Sequence, residues 1–204
     1  MLVFSSKRNS VLAKVGITTN LKRCRQTKVQ TVKYISTTGT ESESPDFDSE
    51  WALIRGTIAQ ISQAHYRLVW ITGTPPGRRS DCIRSIAGRL GCPLLSVGQG
   101  LSSRVLDQPA PLRSAAAEDG FYEMLHRSKA EMICLDHLEI LFDQSLMLKA
   151  ADLVRNASRR FILIAAWPGT MDGTGLVFGP PDHPSYFRIS FSEMECPVHH
   201  LSNS

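Results

Sequence analysis

The stretch Arg67-Leu68-Val69-Trp70-Ile71-Thr72-Gly73-Thr74-Pro75-Pro76-Gly77-Arg78-Arg79-Ser80 decides how the chain is read. A short apolar run of β-branched and aromatic residues meets Gly/Pro punctuation. An apolar helical pattern then begins at Cys82, Ile83, Ile86 and Leu90. Strand, tight loop and helix in that order are the setting of a phosphate-binding P-loop, where backbone N–H groups and the positive end of the next helix face an anion. The register of G-x-x-x-x-G-K-[ST] fits with Gly73 first and Ser80 last, and with Thr74, Pro75, Pro76 and Gly77 between them and the basic pair. Two of the four fixed positions differ: Arg78 stands where the second Gly would, and Arg79 replaces the Lys. A Gly there reaches backbone conformations that cost other residues about 1–2 kcal/mol. Arg79 keeps a cation, but a planar guanidinium is not equivalent to an ammonium. Asp81 adds negative charge close by. A strand–Gly/Pro–helix junction that holds no ligand is the plainer alternative.

The second informative stretch is Glu131-Met132-Ile133-Cys134-Leu135-Asp136-His137-Leu138-Glu139-Ile140-Leu141-Phe142. Apolar residues ending in an Asp resemble a Walker B strand, whose carboxylate helps to hold a magnesium ion. In a parallel sheet that end faces the loop, so Ser80 and Asp136 are expected to share one Mg ion. His137 stands where many ATPases carry the Glu that orients the attacking water, and Glu139 is the candidate catalytic substitute. An Asp that ends an apolar strand is also common as a helix cap.

Working outward, Trp51, Ile54, Ile58 and Ile61 predict a helix from Phe47 to about His65, capped by Asp46 or Asp48. A helix over Asp81 to Leu90 ends at Gly91, and Pro93 to Val97 reads as a short strand. Gln99 to Leu106 makes a helical turn or two, Ala115 to Ala130 a helix, and Asp143 to Ser158 another. Phe161 to Trp167 is a strand fit for burial on both faces. Just beyond it Thr170 is the candidate polar sensor of a γ-phosphate. The alternation predicts a three-layer α/β fold of P-loop NTPase type, a mostly parallel sheet flanked by helices. Gly169 to Pro184 reads as an ordered loop or hairpin and Tyr186 to Phe191 as a small terminal strand, with Arg188 a structural surface cation. His199 and His200 fall in a polar stretch and lack partners at metal-ligand spacing.

The chain has 204 residues, enough for one domain with appendages. No apolar run approaches the roughly 18–20 residues that span a bilayer, so no membrane partner is expected. Five cysteines are scattered without zinc spacing, and Cys82 and Cys134 read as buried free thiols of a cytoplasmic protein. The net charge of +4 is uneven. Lys7, Arg8, Lys14, Lys22, Arg23, Arg25, Lys28 and Lys33 all precede the first acid, Glu41, and the rest of the chain is mildly acidic. Residues 1–45 therefore read as a disordered basic tail and linker, 46–194 as the domain, and 195–204 as a flexible C-terminal tail. The basic tail fits an arm that contacts nucleic acid such as DNA, an organelle transit peptide, or an extension without a role of its own.

Three runs together carry a family likeness. Thr72-Gly73-Thr74-Pro75-Pro76-Gly77, Cys134 to Phe142, and Ala165-Ala166-Trp167-Pro168-Gly169 followed by Asp182-His183-Pro184-Ser185-Tyr186 resemble BrxF, the small P-loop protein of type 3 bacteriophage-exclusion (BREX) systems. The resemblance covers about residues 47–194. It implies a bacterial antiviral component that works beside other BREX defence proteins, a methyltransferase among them, and a fold that binds ATP with Mg. By position, Gly73, Gly77, Arg79 and Ser80 correspond to the family's P-loop and Asp136 to its Walker B acid. Binding without hydrolysis is one expectation. A scaffold that has lost the nucleotide is the other.

Overall fold

Leu68 to Thr72 and Ile162 to Ala166 are buried at every position, as strands covered on both faces must be. The computed structural model describes residues 47–201. The basic segment 1–45 and the cap expected at Asp46 lie outside the described residues, as does the Asp48 side chain. In chain order come α1 (Phe47–Ile61), β1 (Leu68–Thr72), α2 (Pro76–Leu90), β2 (Leu94–Ser96), α3 (Val97–Leu106), α4 (Arg113–Arg127) and β3 (Met132–Asp136). After two short 3-10 turns follow α5 (Ala150–Ala157), β4 (Ile162–Ala166), β5 (Thr170–Met171), β6 (Gly175–Phe178), β7 (Phe187–Ser190), α6 (Phe191–Met194) and β8 (Val198–His200).

The main sheet has the order β2-β3-β4-β1-β8, and every pairing in it is parallel. Strand alternation divides the core between its faces. Val69, Ile71, Cys134, Ile162 and Ile164 pack with Ile54, Ile58 and Ile61 of α1 and Cys82, Ile83 and Ile86 of α2. Leu68, Trp70, Ile133, Leu135, Leu163 and Ala165 pack on the opposite side with Leu101 of α3, Phe121 and Leu125 of α4 and Val154 of α5. The architecture is thus the expected α/β arrangement, helices on both faces of a parallel sheet. Among the described residues, no helix is long and apolar enough to cross a membrane.

A second sheet, β5-β6-β7, is antiparallel. It docks on the carboxyl end of β4 through two close contacts. Trp167 donates its indole N–H to the Val177 carbonyl at 3.0 Å. A Cβ on Gly169 would lie 1.8 Å from that same oxygen, so only glycine fits. Arg188 of β7 donates to Asp172 at 2.8 Å, which makes it the structural cation expected.

Several boundaries differ from the sequence reading. Residues 195–204 are not a flexible tail along their described length. Val198–His200 extend β1 as an edge strand, and Leu201, 1% exposed, donates its N–H to the Thr72 carbonyl. The helix expected over 143–158 is confined to Ala150–Ala157, because Asp143 instead accepts from the Ser145 N–H in a 3-10 turn that Met147 ends at φ 50°. The largest difference concerns α2, which starts at Pro76 rather than near Asp81. Pro suits the first helical position, where no N–H is needed. Gly91 stops this helix as predicted, in the left-handed region at φ 62°.

Candidate functional site

The early start of α2 shortens the loop on which the phosphate reading rests. Only Gly73, Thr74 and Pro75 separate β1 from α2; Pro76, Gly77, Arg78, Arg79 and Ser80 are helical. Gly73 takes φ 155°, and a Cβ there would lie 2.8 Å from the Leu201 Cβ, so the β8 exit presses directly on the turn. The turn itself is exposed from Thr74 to Gly77. No side chain caps the N-terminus of α2. Its first turn carries two arginines and no acid, the reverse of what the helix dipole favours. Each arginine is stabilised from elsewhere. Arg78 lies 3.6 Å from the Glu50 carboxylate of α1.

Arg79 is the centre of the site. Its side chain points under the turn, leaving the residue 4% exposed. One terminal nitrogen, Nη1, donates to the Gly73 carbonyl at 3.2 Å and to the Gly169 carbonyl at 3.3 Å. The guanidinium therefore ties the turn after β1 to the turn after β4. Burial pulls its pKa below the ordinary arginine value, while the charges of Glu139 and then Asp136 push it back up. Its Nε has no partner.

Asp136 ends β3, one strand removed from β1, with β4 between them. Neighbouring strands run roughly 4.8 Å apart, so about 10 Å separates the strand bearing the acid from the strand bearing the turn. The Asp136 carboxylate is turned back toward its own chain. Its Oδ1 accepts the His137 N–H at 2.9 Å, and Oδ2 lies 3.7 Å from the His137 ring. Glu139 opens a 3-10 turn and is exposed. Thr170 is exposed at the start of β5; its neighbour Gly169, not Thr170, touches Arg79. Ser80 is half-buried inside α2. The fold thus gathers Gly73, Arg79, Asp136 and Glu139 at one rim of the sheet, with the arginine at their centre.

That arrangement bears on the magnesium ion assigned to Ser80 and Asp136. Mg requires oxygen ligands in near-octahedral order, usually shared with substrate phosphates. Here a guanidinium held by two backbone carbonyls already carries the positive charge on which Asp136 and Glu139 act. Among the described residues no group of three or more His, Cys, Asp or Glu side chains could hold a metal ion, and Asp136 already accepts from its own chain.

Three features had no counterpart in the sequence reading. Buried polar atoms without a hydrogen-bond partner are found on Thr72, His199 and His200 as well as on Arg79. Burial lowers the His199 pKa to about 4, with the His200 charge acting the same way, and burial also lowers His200, against which Glu50 works. A cavity of about 310 Å³, lined by Ser96, Gly98, Gln99, Ser102 and His137, opens at the far edge of the sheet, where the Gly98 N–H meets the His137 carbonyl at 2.8 Å. Ser96-Val97-Gly98-Gln99-Gly100 directly after a strand was the sequence signal for it.

A scan against models of known protein families finds no match to this chain, and a search of curated proteins finds none either.

Proposed function

We propose that this chain is a P-loop-type component of a type 3 BREX phage-defence system, working in the cytoplasm as a non-hydrolysing scaffold. Arg79 closes its nucleotide site from within. The observation that carries this reading is the buried guanidinium, hydrogen-bonded to Gly73 and Gly169 where phosphate and metal would otherwise be received. Catalysis of phosphoryl transfer consists of positioning and charge neutralisation. Here a fixed internal cation already stands within electrostatic reach of Asp136 and Glu139. The parallel sheet with its short turn and acid at one rim, and the resemblance of three sequence runs to BrxF, support this reading. Other defence proteins are the partners on this reading.

Thermal unfolding with and without millimolar ATP and Mg tests it. A ligand that binds only the native state at a hundred times its Kd adds about 2.7 kcal/mol. The scaffold reading expects no shift, together with co-purification of the chain with the products of neighbouring defence genes. A rise of several degrees with ATP overturns it in favour of a second reading, nucleotide binding without turnover. Specific features favour that second reading: the uncapped, exposed start of α2 and the unpartnered Arg79 Nε. DNA contact through residues 1–45 is tested separately, by the salt dependence of binding with and without that segment.

A further inference from the structure

Cys92 and Cys134 are 42 residues apart in sequence, and their sulfurs lie 3.6 Å apart in the fold. Cys134 is fully buried in the middle of β3, whereas Cys92 is partly exposed in the connection that links Gly91 to β2. The sheet itself holds them together. Leu94 pairs with Cys134, and the Cys134 N–H donates to the Pro93 carbonyl at 2.9 Å. A disulfide requires the sulfurs to close to about 2.05 Å. Cys92 belongs to neither helix nor strand and follows a glycine cap, so the motion falls on its side of the pair.

We propose that Cys92 and Cys134 are a reversible oxidation site, forming a disulfide with a peroxide as oxidant. The Cys92 thiolate attacks one peroxide oxygen and breaks the O–O bond. The sulfur becomes a sulfenic acid, and the displaced hydroxide takes up a proton and leaves as water. Cys134 then attacks that sulfur, forming the S–S bond while its own proton and the sulfenic hydroxyl leave as a second water. Two thiols are oxidised by two electrons and one peroxide is reduced to two waters.

The surroundings assign the two roles. Cys92 is the more exposed of the two and meets peroxide first, and a hydrogen bond from Cys134 pulls its thiol below the usual range, which favours the thiolate. The same bond, burial and the nearby Cys92 charge push Cys134 up, which makes it the resolving partner. Cys82 and Cys196 are buried and pushed up to about 12, leaving them poor nucleophiles. The bond joins the exit of α2, whose first turn carries Arg79, to the strand that ends at Asp136.

The test uses the full chain treated with hydrogen peroxide. Intact mass falls by about 2 Da as two hydrogens are lost, and dithiothreitol restores it. Two of the five thiols disappear, and proteolytic mapping links the Cys92 and Cys134 peptides. The oxidised form melts about 10 °C higher, as expected for closing a loop of this length, and Cys92→Ser abolishes both the link and the rise. Cys134→Ala serves as a second control, in which Cys92 oxidises further instead of cross-linking. The proposal fails if peroxide adds about 32 Da at Cys92 of the unaltered chain with no linked peptide. It fails equally if all five thiols survive, or if Cys92→Ser loses two thiols as the parent does.

Discussion

Replacing Arg79 with Met keeps an unbranched stem under the turn and removes the charge. In the native fold that charge supplies two hydrogen bonds, to carbonyls that follow β1 and β4. Bonds to charged groups contribute about 1.5–3 kcal/mol each. Lengths of 3.2 and 3.3 Å argue for the lower figure, about 3 kcal/mol for both. Burial of the guanidinium opposes this gain and is the leading influence on its protonation. Met relieves that burial but leaves the Gly73 and Gly169 carbonyls without their donor, an offsetting loss. The net expectation is destabilisation by about 2–3 kcal/mol, seen as a fall in Tm of about 4–12 °C. Arg79→Lys recovers part of it, since both bonds come from one nitrogen and an ammonium also carries several donors on one nitrogen, but its shorter stem reaches the two carbonyls less well. Thermal unfolding by circular dichroism, with urea midpoints for confirmation, measures the series. An Arg79→Met chain as stable as the parent to within about 0.5 kcal/mol refutes the view that this arginine holds the rim together.

Restoring the motif with Arg78→Gly and Arg79→Lys creates no ATP binding by titration calorimetry, because Pro76 already starts the helix and the loop stays three residues long; measurable heat of binding counts against this. The same change removes the Arg78–Glu50 pair and puts Gly into a helix, costing about 1 kcal/mol on its own. Leu201→Ala destabilises by about 2–5 kcal/mol in urea, as a fully buried leucine does and a residue of a loose tail does not. Acidification weakens the fold. His199 stays neutral in the native state down to about 4, while the unfolded chain protonates it near its ordinary value of 6.5. The unfolded state binds more protons in that window, so stability is fully present above 6.5 and declines as pH falls toward 4. The loss approaches about 3 kcal/mol, and His200 adds to it in the same direction. His199→Gln flattens the dependence of Tm on pH between 7 and 5; an unchanged slope refutes the assignment.

The central layers were legible because residues 68–71 and Ile162–Ala166 are apolar without interruption, a pattern that suits buried parallel strands. Gly91 as a helix stop was equally readable. The start of α2 was misread because Pro75-Pro76-Gly77 carries turn chemistry and a favoured helix start in the same letters. β8 was hidden by His199 and His200, which look polar in sequence yet enter the sheet as neutral rings. For the site, the residues at the rim were readable one by one. Their relation was not: Arg79 reads as a ligand for phosphate, and nothing nearby in sequence announces that its acceptor is Gly169, 90 residues on. The sulfur pair was out of reach for the same reason.

The position of β1 between β4 and β8 also governs how the molecule is made. Leu68 waits for Leu163, and Trp70 for Val198. A ribosome adding about 5–20 residues per second releases β1 well before either neighbour exists. The nascent chain thus carries a largely apolar strand with both edges open, and parallel partners from so far along the chain close slowly. Pulse-labelled synthesis is the place to look for this. Both edges of β1 are covered only once Val198–His200 have been made.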